Sequence, residues 1–311
     1  MPQTAPVTIV MATYNGARYI GTQLDSIAAQ DDPHWRLIAS DDGSTDETPN
    51  LLRDFQRRRP DGQVTLIPGP RAGATQNFLH LVAQAPDGPL AFCDQDDQWR
   101  PDKLRRAIGW LATQTGPAHY AARTIITDAD LQVLTESRHF LRPLSFRNAL
   151  VQAIMAGNAS VFNAGAVALL KRAGPAAQAA GILSHDWWAY QITSGAGAAL
   201  HHDTTPCLMY RQHGASEVGR NDTAAAMLSR WRQLMAGDYG GWLGQNIAAL
   251  NGARDLLTPD NRDLLDRFAR MTTLPGPAAL TAARRMGLYR QTRAGTAALY
   301  LAALMGRLRI T

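Results

Sequence analysis

The stretch Ala91-Phe92-Cys93-Asp94-Gln95-Asp96-Asp97-Gln98-Trp99 passes from apolar residues into three carboxylates. Its apolar start reads as the end of a buried strand and its acidic part as the loop that follows. So much negative charge beside an apolar core is unfavourable unless a cation neutralises it. Hard divalent ions such as Mg²⁺ and Mn²⁺ take oxygen ligands, and Mg²⁺ commonly uses one or two carboxylates together with substrate phosphates. The stretch therefore points to a metal-assisted phosphate site. A solvated acidic loop with no ligand is the other reading of the same residues.

Towards the N-terminus, Val7-Thr8-Ile9-Val10-Met11-Ala12 reads as a buried strand, followed by Thr13-Tyr14-Asn15-Gly16 and a helix over about 18–30. A second apolar run, 35–40, ends in Asp41-Asp42-Gly43-Ser44-Thr45-Asp46-Glu47. Ser44 and Glu47 have capping-box spacing, which predicts a helix over 46–58. With further strands near 63–67 and 89–93 and helices between them, the pattern is α/β with a largely parallel sheet. Polar loops follow the first, second and fourth strands. In an open parallel sheet such loops share one edge, where ligands bind. The region 119–134 is strand-rich, and 157–162, 200–202 and 207–211 read as short additional strands that make the sheet mixed.

Five blocks in order resemble the nucleotide-sugar glycosyltransferases of family 2, with the GT-A fold, and within them the rhamnosyltransferase-like group. They are Val10-Met11-Ala12-Thr13-Tyr14-Asn15-Gly16, Asp41-Asp42-Gly43-Ser44-Thr45-Asp46, the run from Phe92 to Leu104, His185-Asp186-Trp187-Trp188, and Tyr210-Arg211-Gln212-His213-Gly214. The resemblance implies a Rossmann-like, mixed but mostly parallel sheet flanked by helices over 1–219. Beyond the polar run Gly219-Arg220-Asn221-Asp222-Thr223, the residues 220–311 form a helical, basic appendage without a comparable signature.

The resemblance also implies roles. The donor nucleotide falls to Ala12, Thr13, Tyr14, Asn15, Asp42, Asp94 and Gln95, with Asp42 accepting from the base N–H and Asp94 facing the ribose. Asp96, Asp94 and His213 are the metal ligands for Mg²⁺ or Mn²⁺, and Asp97 supports them. Ordinary turn chemistry is the alternative for Tyr14 and Asn15, and helix entry the alternative for the Asp41–Asp42 cluster. An inverting transfer needs a base at the acceptor hydroxyl, and Asp186 is the candidate, with a helix N-cap as its plain alternative. The family pattern carries an acidic residue where this chain has His185, a departure that matches the rhamnosyltransferase-like branch. His185, Trp187 and Trp188 are candidate acceptor or sugar contacts, with core packing the alternative for the tryptophans. The implied reaction moves a sugar, L-rhamnose from dTDP-L-rhamnose by preference, onto a saccharide or lipid-linked saccharide of a surface polysaccharide such as O-antigen.

Composition agrees with this placement. Of 311 residues, 45% are hydrophobic, enough for a large core. Cys93 and Cys207 sit in separate apolar runs and read as small core residues. No signal-peptide pattern opens the chain, and a cytoplasmic setting fits. From Arg267 to Thr311 there are eight arginines and no acidic residue, so this tail supplies +8 of a net +5 and leaves −3 on residues 1–266. Such a block points to nucleic acid, anionic lipid or an acidic partner. Nucleic acid is disfavoured by the lack of zinc-ligand spacing, RNP-like strand or recognition helix. The apolar run from Ala294 to Met305, flanked by arginines, is too short to span a membrane; an interfacial helix, a packed hairpin and a homodimer interface are the open readings. A nucleotide-dependent oxidoreductase is disfavoured because no G-x-G-x-x-G follows the first strand. A non-catalytic sugar- or lipid-binding relative is the remaining alternative.

Overall fold

The protein is described here by a computed structural model over residues 5–212 and 238–310. The first half alternates strands β1 (Val7–Thr13), β2 (Trp35–Asp41), β3 (Val64–Pro68) and β4 (Leu90–Cys93) with helices α1 (Ile20–Ala28), α2 (Thr48–Arg57) and α3 (Ala74–Gln84). There follow β5 (Gln98–Trp99), α4 (Lys103–Leu111), β6 (Ala118–Ala122), β7 (Ile125–Thr127), β8 (Val133–Glu136), α5 (Phe146–Ala149), β9 (Val161–Phe162), α6 (Ala164–Ala180) and α7 (His185–Gly195). The last elements are β10 (Ala199–Asp203), β11 (Leu208–Arg211), α8 (Asp238–Gly252), α9 (Pro259–Met271), α10 (Gly276–Arg285) and α11 (Arg293–Leu304).

Seven strands form the main sheet in the order β10-β6-β9-β4-β1-β2-β3. All its pairings are parallel except those of β9, which runs antiparallel to both β4 and β6. Strands β5, β11, β7 and β8 form a separate four-stranded sheet. The mixed α/β expectation holds, with the late strands divided between two sheets.

Strand periodicity sorts the core into two layers. Val10, Ile38, Phe92 and Phe162 face one apolar cluster with α3, α6, α7 and the C-terminal helices. Ile9, Met11, Leu37, Ala39, Ala91 and Cys93 face the other with α1, α2 and α4. Because both faces are covered, the parallel strands read as continuous apolar runs rather than alternating ones. Leu243, Phe268, Leu299 and Leu308, from α8, α9, α11 and the segment beyond it, belong to the same cluster as Val10. The C-terminal helices thus pack on the sheet's own core, and the expected boundary near Gly219 to Thr223 lies outside the described residues. Cys93 and Cys207 are buried free thiols, as expected.

Three sequence expectations change. The run 157–162 is not one strand: Gly157–Ala159 is a 3₁₀ turn and only Val161–Phe162 pairs in the sheet. The second helix begins at Thr48, not Asp46, and no capping box forms. Ser44 instead donates to Asp41 (2.6 Å) and accepts from the Asn15 backbone (2.8 Å), while Asp46 accepts from the Thr48 backbone (3.0 Å). Finally, Ser184 caps α7, so Asp186 lies inside the first turn.

His119 on β6 has no exposed surface, and its ring lies between Thr193 Oγ1 (3.1 Å) and Ser160 Oγ (3.0 Å). Burial pushes its pKa down to about 3, with a smaller contribution from His202. The folded state therefore refuses a proton that the unfolded chain accepts near its ordinary pKa of about 6.5. Stability is full above that value and is lost as pH falls towards the folded pKa. Between about pH 7 and about pH 5 this one group is expected to cost about 2 kcal/mol. Urea titrations of His119→Gln across that range should show a flatter pH dependence than the parent; an unchanged slope contradicts the assignment.

Candidate active site

The loops after β1 and β2 are stitched to each other by side-chain to backbone bonds. Asn15 stands at φ 45°, a left-handed conformation that asparagine tolerates. From there its Oδ1 accepts from the Thr45 N–H (2.8 Å). The Gly16 N–H reaches Thr48 Oγ1 (2.8 Å) and the Ala17 N–H reaches Asp46 Oδ2 (3.0 Å). Asn15 thus shapes the first loop. Ala12 and Thr13 end β1 opposite Ser40 and Asp41, and the Thr13 hydroxyl turns inward to Asp41 Oδ1 (3.0 Å).

Asp41 and Asp42 separate in role. Asp41 is spent locally, accepting from Thr13, Ser44 and the Gly43 and Ser44 N–H groups. Asp42 takes the backbone N–H of Arg71 on one oxygen (2.6 Å) and that of Gly73 on the other (2.8 Å), which fixes its carboxylate between β2 and the loop after β3. A cleft lined by Asp41, Ser44, Arg53, Pro68 and Arg71 opens beside them. The two arginines carry no sequence motif and were not anticipated.

The acidic loop after β4 is braced from both sides. Gln95 Oε1 accepts from the Tyr14 N–H (3.0 Å) and its Nε2 donates to the Tyr14 carbonyl (3.0 Å), so its amide joins this loop to the first one. Tyr14 itself leaves 57% of its surface exposed. Asp97 has no exposed surface; Asn158 Nδ2 donates to it (2.7 Å) and so does the Arg211 N–H (3.3 Å). Arg211 Nε donates to the Asp96 carbonyl (2.8 Å), and its guanidinium lies over the Tyr19 ring at 4.6 Å. Lys103, which opens α4, is buried: its Nζ lies 3.5 Å over the Trp99 ring and donates to the Asn158 carbonyl. Burial lowers its pKa, opposed chiefly by Cys207, Cys93 and Asp97. Asp97 is pushed up to about 7, first by burial and then by Asp96 beside it.

Facing this loop is the start of α7. Asp186 accepts from the Trp187 N–H (2.6 Å), the Gly157 N–H (3.3 Å) and the Ser184 hydroxyl. The turn Gly157–Ala159 therefore touches both centres: Gly157 holds Asp186 and Asn158 holds Asp97. Neither residue was marked by sequence reasoning, since a glycine and an asparagine in an apolar run look like strand filler. His185 stacks on Phe78 with ring centroids 3.9 Å apart and meets Phe92 edge-on at 5.1 Å. Burial pushes its pKa down to about 4, although Asp186 opposes the shift, so the ring is neutral at pH 7. Trp187 and Trp188 correct the expectation of sugar contacts. They are 6% and 0% exposed, and the Trp187 indole donates to the Ala149 carbonyl (2.6 Å). Their area belongs to the core, where the apolar surroundings favour it over a wet cleft.

Oxygen atoms of Asp94, Asp96 and Asp97 lie within 4.8 Å of one another. An all-carboxylate set fits a hard divalent ion, and the repulsion from Asp96, which adds to burial in raising the Asp97 pKa, is of the kind such an ion offsets. Asp94 and Asp96 are half-buried at the loop surface, whereas Asp97 is enclosed behind them. His213, the expected late ligand, lies outside the described residues.

Residues 8–172 match the model of the family described as Glycosyl transferase family 2. A dTDP-rhamnosyl transferase, RfbG of Shigella flexneri, is 28% identical over 227 residues, covering 71% of this chain and 77% of that protein. A putative teichuronic acid biosynthesis glycosyltransferase, TuaG of Bacillus subtilis, is 26% identical over 149 residues, covering 48% of this chain and 58% of that one. Among solved structures, S. aureus TarS residues 1–349 in complex with UDP-GlcNAc matches with a TM-score of 0.52 at 14% identity, covering 91% of this chain and 88% of that one.

The Gln95 brace gives a direct test of how the loops are held. A Cβ added at Gly16 would stand 2.2 Å from Gln95 Oε1, so Gly16→Ala must displace the amide. Gly16→Ala is expected to cost roughly 1 kcal/mol or more of stability in the parent and distinctly less in a Gln95→Ala background. Urea unfolding of the two single variants and the double variant measures this coupling. Strict additivity would show that the brace does not hold the loops together.

Proposed function

The chain belongs to glycosyltransferase family 2 and has the GT-A fold, and on that premise we propose that it is an inverting enzyme moving a sugar from a nucleoside diphosphate to a saccharide hydroxyl. The observation that carries this reading is the convergence of three carboxylates after β4, tied through the Gly157–Asn158 turn to a fourth, Asp186. The preferred donor is dTDP-L-rhamnose, supported by the similarity to a dTDP-rhamnosyl transferase. The acceptor is a growing surface polysaccharide or its lipid-linked precursor, met in the cytoplasm.

In this mechanism Tyr14 packs against the base and Asp42 accepts from its N–H. Asp94 faces the ribose. Asp96 and Asp94, with His213, hold a Mg²⁺ or Mn²⁺ ion, which when bound supplies Lewis-acid stabilisation of the departing diphosphate. Asp97, Lys103 and Asn158 keep the carboxylates in place while the loop is charged. Asp186 accepts the proton of the attacking hydroxyl. That oxygen bonds to the anomeric carbon from the face opposite the diphosphate, the bond from carbon to phosphate oxygen breaks, and the configuration inverts.

His185 acts by packing in this scheme: its neutral ring on Phe78 and Phe92 sets the direction of the first turn of α7. Asparagine can keep the Oδ1 contact from the Trp187 N–H but gives up the longer Oδ2 contact from the Gly157 N–H, and it cannot take a proton. Asp186→Asn is therefore expected to lower kcat by roughly 10²-fold or more, with donor affinity and melting temperature little changed. Turnover with a panel of nucleoside diphosphate sugars, dTDP-L-rhamnose among them, checks this together with the donor. Near-normal kcat for the variant at saturating acceptor would remove Asp186 from the chemistry.

A further inference from the structure

Helix α11 presents two different faces. Leu299, Ala302 and Ala303 are buried against the core, whereas Leu301, Leu304 and Met305 are 42%, 43% and 47% exposed. Ala297, Leu301, Leu304 and Met305 recur at helical spacing, so they form one outward stripe. Arginines border this stripe. The Arg284 guanidinium at the end of α10 lies 5.6 Å over the Tyr300 ring. Arg293 opens α11 and, with Arg142, Ala297 and Leu141, lines a shallow groove along it; Leu141 is 84% exposed. Arg285, Arg307 and Arg309 are exposed close by in sequence, and no acidic residue occurs from Arg267 onward.

We propose that this outer face of α10 and α11 docks the protein on an anionic lipid bilayer. The stripe supplies leucine and methionine side chains that enter the acyl boundary, and the arginines supply donors for the lipid phosphates. Arginine suits this place because its planar guanidinium pairs with phosphate while its stem covers apolar surface. The face carries one sign of charge around an apolar centre. That complements a negatively charged, apolar-cored surface; a second copy of the same face would set arginines against arginines. Docking is peripheral: no helix among the described residues is long and apolar enough to cross a membrane. The inference goes beyond the proposed glycosyl transfer and does not depend on it, since the stripe and the acidic loop are separate groups of residues.

The test is flotation of the full chain with phosphatidylcholine vesicles prepared with and without phosphatidylglycerol, at low and high salt. Binding is expected only to the anionic vesicles and should weaken as salt rises. Leu301→Glu/Leu304→Glu and Arg284→Glu/Arg307→Glu should each reduce it by roughly tenfold or more. Melting temperature and turnover on a soluble acceptor, which report the fold and the acidic loop separately, should stay at parental values. Three results overturn the proposal: equal binding or none to the two vesicle types, binding that both folded variants retain, or a vesicle-free dimer in sedimentation velocity that Leu301→Glu separates.

Discussion

A carboxylate with no exposed surface, Asp97, sits beside Asp96 at the end of a strand whose four residues are all buried. An ionised group in that position is costly unless it is hydrogen-bonded and its charge is offset. Asn158 and the Arg211 N–H supply the bonds, and buried Lys103, held by the Asn158 carbonyl, supplies an opposing charge. Much of the surrounding architecture answers this one constraint. The short strand β11 delivers Arg211, β5 carries the Trp99 ring that Lys103 covers, and the 3₁₀ turn delivers Asn158. The antiparallel strand β9 directly after that turn, wedged between β4 and β6, keeps the turn beside the acidic loop.

The same arrangement links the charged loop to Asp186. Because Gly157 and Asn158 are adjacent, the distance between the two centres is set by a rigid turn and not by a long loop. Gly157 admits this closeness: a Cβ there would stand 2.7 Å from His185 Nε2. Separately, Thr75 of α3 holds the segment just ahead of α7, donating to the Leu183 carbonyl (2.8 Å). For the displacement proposed above, in which donor and attacking hydroxyl meet in line, fixed separation of this kind is a large part of what a protein can contribute.

The first four strands were legible because parallel strands buried on both faces are continuous apolar runs, and their expected spans agree with the structure to within a residue or so. The acidic loop was legible because its charge has no place in a core. What escaped has non-local causes. Strand β5 is two residues long and exists through β11, far along the chain, and the gathering of β5, β11, β7 and β8 into a sheet of their own rests on the same long-range pairings. The burial of Lys103 depends on Trp99 and Asn158, and no local pattern marks it. Trp187 and Trp188 offered aromatic faces in sequence, but a helix enclosed by α3, α5, α6 and α8 has no wet side for them. Ser44 spelled a cap, yet the neighbouring Asp41 and Asn15 claimed its hydroxyl.

The central claim is that the loop after β4 binds a nucleoside diphosphate through a divalent ion held by its carboxylates. Isothermal titration of the nucleotide into the protein with Mn²⁺, in excess chelator, and with Asp96→Asn tests it most directly. Binding that requires the ion, and that Asp96→Asn loses while its melting temperature stays near the parent's, is the expected result. Equal affinity in chelator, or full Mn²⁺-dependent binding by Asp96→Asn, would contradict it.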